Sequence, residues 1–528
     1  MSMPRGRQYV GPTLAAYHQV GWRSRRRLFL LGLLALVSFA YGAIFALTQT
    51  YFLMQLSVPF VVLALLIIWC LPETGQAPER LLEGLFAAFL IALLCWPDYL
   101  AVAIPGLPWF TALRLVAVPL AIVLLISLSQ SPSFRADMAR PLKASPITLR
   151  LVVLFSLIAL VSVPLSSDPS GSTSKFIVAM LYWVMIFFVS AWVFQKPGRA
   201  TFLAFALWMI LVGICVIGLW EQRLQSVPWA GHIPSFLKIE DPAVERILSA
   251  KSRAASKLYR VQSKFTTPLG LAEFLAYATP FVLHIALTTR RFIVRIAALA
   301  TFPLIWTTIV GTDSRLGMVG FFMTFMLYLI AWAALRWRRS TKSLFGPATV
   351  LAYPVIFVAF ILSTFFVGRL RALIWGGGAQ SASTESRKIQ IASGIPKILG
   401  RPWGHGIGQG AETLGFRNGA GVLTIDSYYL GIALELGIVG FVVFYAIFIG
   451  ASLRAIRVSL RQFDSDTAVI FPLVIAIINF VIIKSIFSQL ENHPLVFAFL
   501  GATLALVLLI SNRDQVPSAS PTADSSRA

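Results

Sequence analysis

Charge is scarce in this chain. Of 528 residues, only 12% are Asp, Glu, Lys or Arg, while 58% are hydrophobic. A soluble domain cannot hide that much apolar surface, whereas a bilayer solvates it directly, so soluble-protein readings are excluded. Acidic residues are scarcer still, 21 against 44 basic ones, for a net charge of +23. In a soluble protein that excess would point to nucleic acid. Here the basic residues fall mostly in short loops between apolar runs, a topogenic pattern, and no nucleic-acid partner is expected. Cysteine is nearly absent: Cys70, Cys95 and Cys215 lie inside apolar runs with no paired spacing, which excludes a disulfide framework. Five histidines without a His/Cys/carboxylate cluster offer no zinc site, and no metal or cofactor is expected. No cleavable signal peptide is visible, because Leu28 to Leu47 is long enough to span and no small-residue cleavage site follows it.

What is present is a series of apolar runs of roughly 20 residues, each the length of a membrane-crossing helix. They predict an all-α polytopic membrane protein of about fourteen spans. The first seven lie near 28–47, 52–71, 81–96, 112–130, 150–166, 175–195 and 201–220. The second seven lie near 268–287, 292–311, 316–335, 347–367, 429–450, 468–488 and 494–511. Five regions follow: a basic N-terminus (1–27), N-terminal spans (28–200), a central region (201–450), C-terminal spans (451–511) and a Pro-, Ser- and Ala-rich tail (512–528) that reads as disordered.

Arg23, Arg25, Arg26 and Arg27 precede the first span and predict a cytoplasmic N-terminus. Alternation then brings Arg135, Arg140 and Lys143, Arg290 and Arg291, Arg336 to Arg339, and Arg454, Arg457 and Arg461 to the same side. An even number of spans returns the C-terminus there as well. Two external loops, 221–267 and 368–428, break the rule. Residues 221–264 hold eight basic against four acidic residues, and 368–426 hold seven against three. Positive charge on the translocated side opposes insertion, so it points to an anionic ligand. Contact with anionic headgroups is the plainer alternative.

Four stretches at that face carry the chemistry. Tyr259 to Pro268 places Arg260 and Lys264 ahead of a span that Pro268 opens. Gly311-Thr312-Asp313-Ser314-Arg315 is a polar break, where Arg315 would be costly against lipid and should face a cavity or pair locally with Asp313. Pro402 to Gly410 carries glycine at every second position, as in an amide-lined ligand cradle or in a flexible connector, and includes His405. Asp426-Ser427 opens the span that holds Glu435, Gly437 and Gly440, with Asp426 either at a site or capping the helix.

The order of these elements, over roughly residues 200 to 450, resembles the O-antigen ligase and polysaccharide polymerase family of bacterial inner-membrane proteins. Arg260 with Pro268 to Ala272, Ser314-Arg315, Arg387 in a large periplasmic loop, Pro402 to Gly408, and Asp426 to Gly440 match the family's motifs in sequence. The chain departs from the ligases at Asp426-Ser427, where they usually carry His-Asn. That departure leaves the catalytic base in question and tilts the reading towards a polymerase.

The resemblance implies a bundle like that of the multi-span C-type glycosyltransferases, with an undecaprenyl-diphosphate-linked glycan as donor and membrane lipid around it. It implies inversion at the anomeric carbon without a metal, and chain-length regulator and flippase proteins of the same pathway as partners. In that reading Arg260 and Arg315 hold the diphosphate, with Lys264 and Arg387 in support. Asp426 activates the acceptor hydroxyl, with His405 behind it. Transfer to a lipid A core is the nearest alternative. A flippase is a more distant one, with Lys484 as its midplane charge.

Overall fold

The computed structural model describes residues 53–73, 75–103, 109–249, 259–339, 342–366, 368, 371, 381–419, 421–460 and 464–513, together with 29, 32, 33 and 36. The arginines at 23–27, most of the 28–47 span, Lys251, Arg253, Lys257, Arg369, Arg461 and the tail from 514 lie outside the described residues.

Among the described residues the regular structure is helical, apart from the antiparallel strand pair β1 (Ala101–Val102) and β2 (Phe110–Thr111) and an isolated bridge between Arg417 and Leu423. Its helices are α1 (Leu53–Cys70), α2 (Glu79–Cys95), α3 (Ala112–Gln130), α4 (Pro132–Ala144), α5 (Pro146–Ser162), α6 (Pro169–Val193) and α7 (Arg199–Leu224). They continue with α8 (Pro242–Ser249), α9 (Pro268–Thr288), α10 (Phe292–Gly311), α11 (Arg315–Arg339) and α12 (Phe345–Phe366). The last five are α13 (Ser381–Gly400), α14 (Gly410–Leu414), α15 (Tyr428–Ser459), α16 (Ile470–Lys484) and α17 (His493–Arg513).

Among the described residues ten helices are long and apolar enough to cross a membrane. Each corresponds to a predicted span. The remaining four predictions fare differently. The 28–47 run is largely outside the described residues, α1 covers 53–70 of the 52–71 run, and α2 is only 17 residues long. At 150–166 the chain forms α5, which follows α4 across a bend of 103°. Pro146 opens α5 directly after Ser145, so the bend falls where proline can start a helix but not continue one.

Two compact units are distinguished. Of the described residues, the smaller includes those within 53–82 and 122–136, and within it Arg135 pairs with Glu73 at 3.0 Å. The larger includes the described residues within 83–103, 109–121 and 137–513 and contains every helix from α5 onwards.

In the larger unit α9 is the central post, packed by α7, α10, α11 and α16 and 94% buried. Its start is set by Thr267, which accepts a hydrogen bond from the Gly270 amide at 3.1 Å, with Pro268 in the first turn as predicted. Small residues let α11 close on it. A Cβ on Gly317 would stand 2.8 Å from Ala272 Cβ, and one on Gly320 would stand 2.6 Å from Ala276 Cβ. Asn479 of α16 stitches the three helices by donating to the Ala276 and Gly320 carbonyls and to Thr324 Oγ1. By contrast α12, packed on α11, is 6% buried.

Candidate functional site

The N-termini of α9, α11 and α15 and the C-termini of α10 and α16 share one end of the bundle. There they enclose a cavity of about 500 Å³. Arg260, Arg315 and Arg387 line it together with Asp313 and Asp426, all partly buried. These residues come from four separate stretches of chain, and packing alone gathers them.

Each is held by its local backbone. Arg260 Nε donates to the Thr312 carbonyl at 2.8 Å, which ties the approach to α9 onto the α10–α11 turn. Asp313 makes that turn with a positive φ of 49°, a conformation aspartate tolerates better than most residues. Ser314 caps α11 by accepting from the Gly317 amide at 3.3 Å, so Arg315 stands in the first turn and the helix's positive end faces the cavity. Arg387, on α13, brings Nε to 3.8 Å from Asp426 Oδ2, an ion pair too long to be a hydrogen bond.

At the start of α15 it is Ser427, rather than Asp426, that caps the helix. Its hydroxyl accepts from the Leu430 amide at 3.4 Å and donates to the Ser485 carbonyl at 2.6 Å. The Asp426 side chain is thereby left at the cavity. Its amide donates to Gln390 Oε1 at 2.9 Å. Burial raises the Asp426 carboxyl above its ordinary range, against the lowering influence of the Arg387 guanidinium and the Gln390 side chain.

The floor was not foreseen. The sequence reading carries a span to 488, but α16 ends at Lys484, and Ile486, Phe487, Ser488 and Gln489 turn beneath the cavity. The turn is tied on every side. Ser488 donates to the Ile425 carbonyl at 2.5 Å, Glu491 accepts from the Thr266 amide at 3.0 Å, and Asn492 donates to the Gly270 carbonyl at 2.9 Å. The polar run Gln489 to Asn492, between two apolar stretches, was the signal for it.

Residues 296–445 match the family model described as O-Antigen ligase. This segment is similar to the O-antigen ligase family. The matched, O-antigen ligase-like part carries Arg315, Arg387 and Asp426, while Arg260 and the 485–492 turn reach the same cavity from outside it. No curated protein matches the chain.

Two predicted site residues are corrected. Lys264 does not reach the cavity; it is buried, donates to the Leu93 carbonyl at 2.6 Å and sits 4.2 Å from the centre of the Phe265 ring. Burial lowers its ammonium from the ordinary lysine range, partly offset by Glu491 and Asp98. His405 is equally remote, because the Leu434 carbonyl receives both its amide at 2.9 Å and its Nδ1–H at 3.1 Å.

The reason lies in the glycine run, which proves to be a packing device and not a ligand cradle. α15 breaks at Gly437 (φ 72°, ψ −175°), leaving backbone groups for the 402–410 segment to satisfy. Gly406 N–H donates to the Glu435 carbonyl at 3.0 Å, and Ile438 N–H donates to the Pro402 carbonyl at 2.9 Å. The fit requires glycine: a Cβ on Gly406 would fall 2.4 Å from Ser166 Cβ, and one on Gly437 would fall 2.1 Å from the Pro402 oxygen.

Lys484, the transporter-like feature of the sequence, is also absorbed. It is fully buried, pairs with Glu273 at 2.5 Å and donates to the Gln489 carbonyl.

Proposed function

We propose that this O-antigen ligase-like membrane enzyme polymerises undecaprenyl-diphosphate-linked repeat units, with the arginine cavity as its transfer site. The observation that carries the reading is three guanidinium groups and two carboxylates, Asp313 and Asp426, lining a single cavity.

As the anomeric C–O bond of the donor breaks, negative charge gathers on the departing diphosphate. Arg260, Arg315 and the N-terminus of α11 stabilise it, with charge-assisted and bidentate contacts doing most. Asp426, offset from the arginines and held by Arg387, accepts the proton of the acceptor hydroxyl as that oxygen attacks C1 from the opposite face. The sugar is inverted, the electron pair of the broken bond leaves with the diphosphate, and the proton stays on Asp426 until solvent removes it.

An apolar groove of about 210 Å³ between α11 and α12 shares Val319 with the cavity and is lined by Phe322, Phe357 and Phe360. It suits a polyprenyl tail entering from lipid. Strongly basic turns, Arg290–Arg291 and Arg336 to Arg339, stand at the other end of the bundle, so the cavity faces the periplasm of the inner membrane under the charge rule. Chain-length regulator and flippase proteins of the same pathway then meet the enzyme at that membrane.

The family's description, O-Antigen ligase, supports a second reading as a ligase, with the lipid A core as its acceptor in our proposal. Reconstituting the protein with lipid-linked repeat units, with and without lipid A core, separates the two. Polymerisation lengthens the lipid-linked chains, ligation moves glycan to the core, and loss of neither product in Arg315→Ala removes the site assignment.

A further inference from the structure

A second charged cavity lies at the opposite end of the larger unit, where α4 meets α5 beside the last turns of α15 and α17. Its volume is about 870 Å³. Arg140, Lys143, Arg454 and Arg457 line it, and no acidic residue does. Arg140 is paired with Asp137 at 3.0 Å, and Arg454 reaches the Ala144 carbonyl at 3.5 Å. Lys143 and Arg457 make no ion pair among the described residues.

Two further features point inward. The N-terminus of α5 opens there, and its first internal hydrogen bond, Leu149 N–H to the Ser145 carbonyl at 3.2 Å, leaves the Ile147 and Thr148 amides ahead of it. Ser145 stands at the cap position but makes no capping bond. It is 4% exposed, and its hydroxyl has no partner. A buried hydroxyl without a partner is unfavourable, and a bound acceptor would satisfy it. Beside this polar end the wall turns apolar, with Ile147 and Leu453 exposed on the side that faces lipid.

We propose that this cavity binds the phosphate headgroup of an anionic membrane lipid, with its acyl chains along Ile147 and Leu453. Lys143 and Arg457 supply the charge, and Ser145 with the α5 amides supplies directed hydrogen bonds to the phosphate oxygens. A soluble phosphate would use the same donors but gain nothing from the apolar wall. The site is independent of the glycan reading and stands at the far end of the bundle from it.

The test uses the full-length protein in detergent, offered an equal mixture of phosphatidylglycerol and phosphatidylcholine, with retained lipid read by native mass spectrometry. Phosphatidylglycerol is expected to be retained in preference. Lys143→Gln with Arg457→Gln should cut that preference by roughly thirtyfold. Ser145→Ala should lower it without a change of charge, so a poorly folding double variant does not leave the question open. Arg290→Gln with Arg291→Gln, at the same end but outside the cavity, should leave it unchanged. Equal retention of both lipids, or undiminished preference in the Lys143/Arg457 and Ser145 variants, overturns the proposal. Displacement of the lipid by millimolar inorganic phosphate overturns it too, in favour of a soluble anion.

Discussion

Two groups of charged residues meet at the end of the bundle that holds the arginine cavity, and they are built in opposite ways. Lys484 and Glu273 are fully buried, 2.5 Å apart, and ringed by Asn492 and the Gln489 carbonyl. Arg260, Arg315, Arg387 and Asp426 line open volume, with Arg387 Nε 3.8 Å from Asp426 Oδ2. A buried pair answers its own charge and positions backbone, while cations lining a cavity stand where an arriving anion can meet them. They touch at one place. Lys484 holds the Gln489 carbonyl, and Gln489 lines the cavity floor.

The sharpest way to break this comparison is at Lys484. Lys484→Met leaves the Glu273 carboxylate buried without its cation, with the Asn492 amide beside it, and should destabilise the protein by about 3–5 kcal/mol. Adding Glu273→Met should recover most of that loss. Thermal unfolding in detergent reads both; a stable single variant that has lost transfer would move Lys484 into the site. Next in size is Arg315→Ala, expected to slow glycan transfer by about 10²–10³-fold while leaving the unfolding temperature in place. A drop in stability matching the loss of rate would make Arg315 structural.

A smaller effect is expected from Arg387→Gln on the rate–pH profile. Asp426 must be ionised to accept a proton, so activity should rise with pH through a carboxyl value already raised by burial. Arg387 opposes that rise, and removing it should carry the acidic limb to higher pH. A limb that stays in place separates Asp426 from the proton transfer. The smallest effect is assigned to His405→Ala, which removes one hydrogen bond to the Leu434 carbonyl. About 1 kcal/mol of stability should go, with transfer unchanged. A large fall in rate there would place catalysis in the glycine-rich segment after all.

Much of the frame was legible in the residues. Ten apolar runs became membrane-length helices, because a chain in lipid must satisfy every backbone group within the segment. Pro268 opened its helix, and Arg260, Arg315, Arg387 and Asp426, singled out from the sequence, line one cavity. The glycine run misled because alternating glycine signals close backbone approach without saying to what. Here the approach is to the broken helix at Gly437.

Hydropathy along the chain therefore determined the all-helical membrane architecture and which polar breaks fall at the cavity end, since both follow from local composition and length. Only the tertiary structure decided which of those polar residues share a cavity. Lys264 and His405 stand close in sequence to residues of the site, yet packing hands one to the Leu93 carbonyl and the other to Leu434. The turn at 485–492 became a floor for the same reason. Contacts between distant segments depend on which helices pack together, and no single stretch of sequence carries that information.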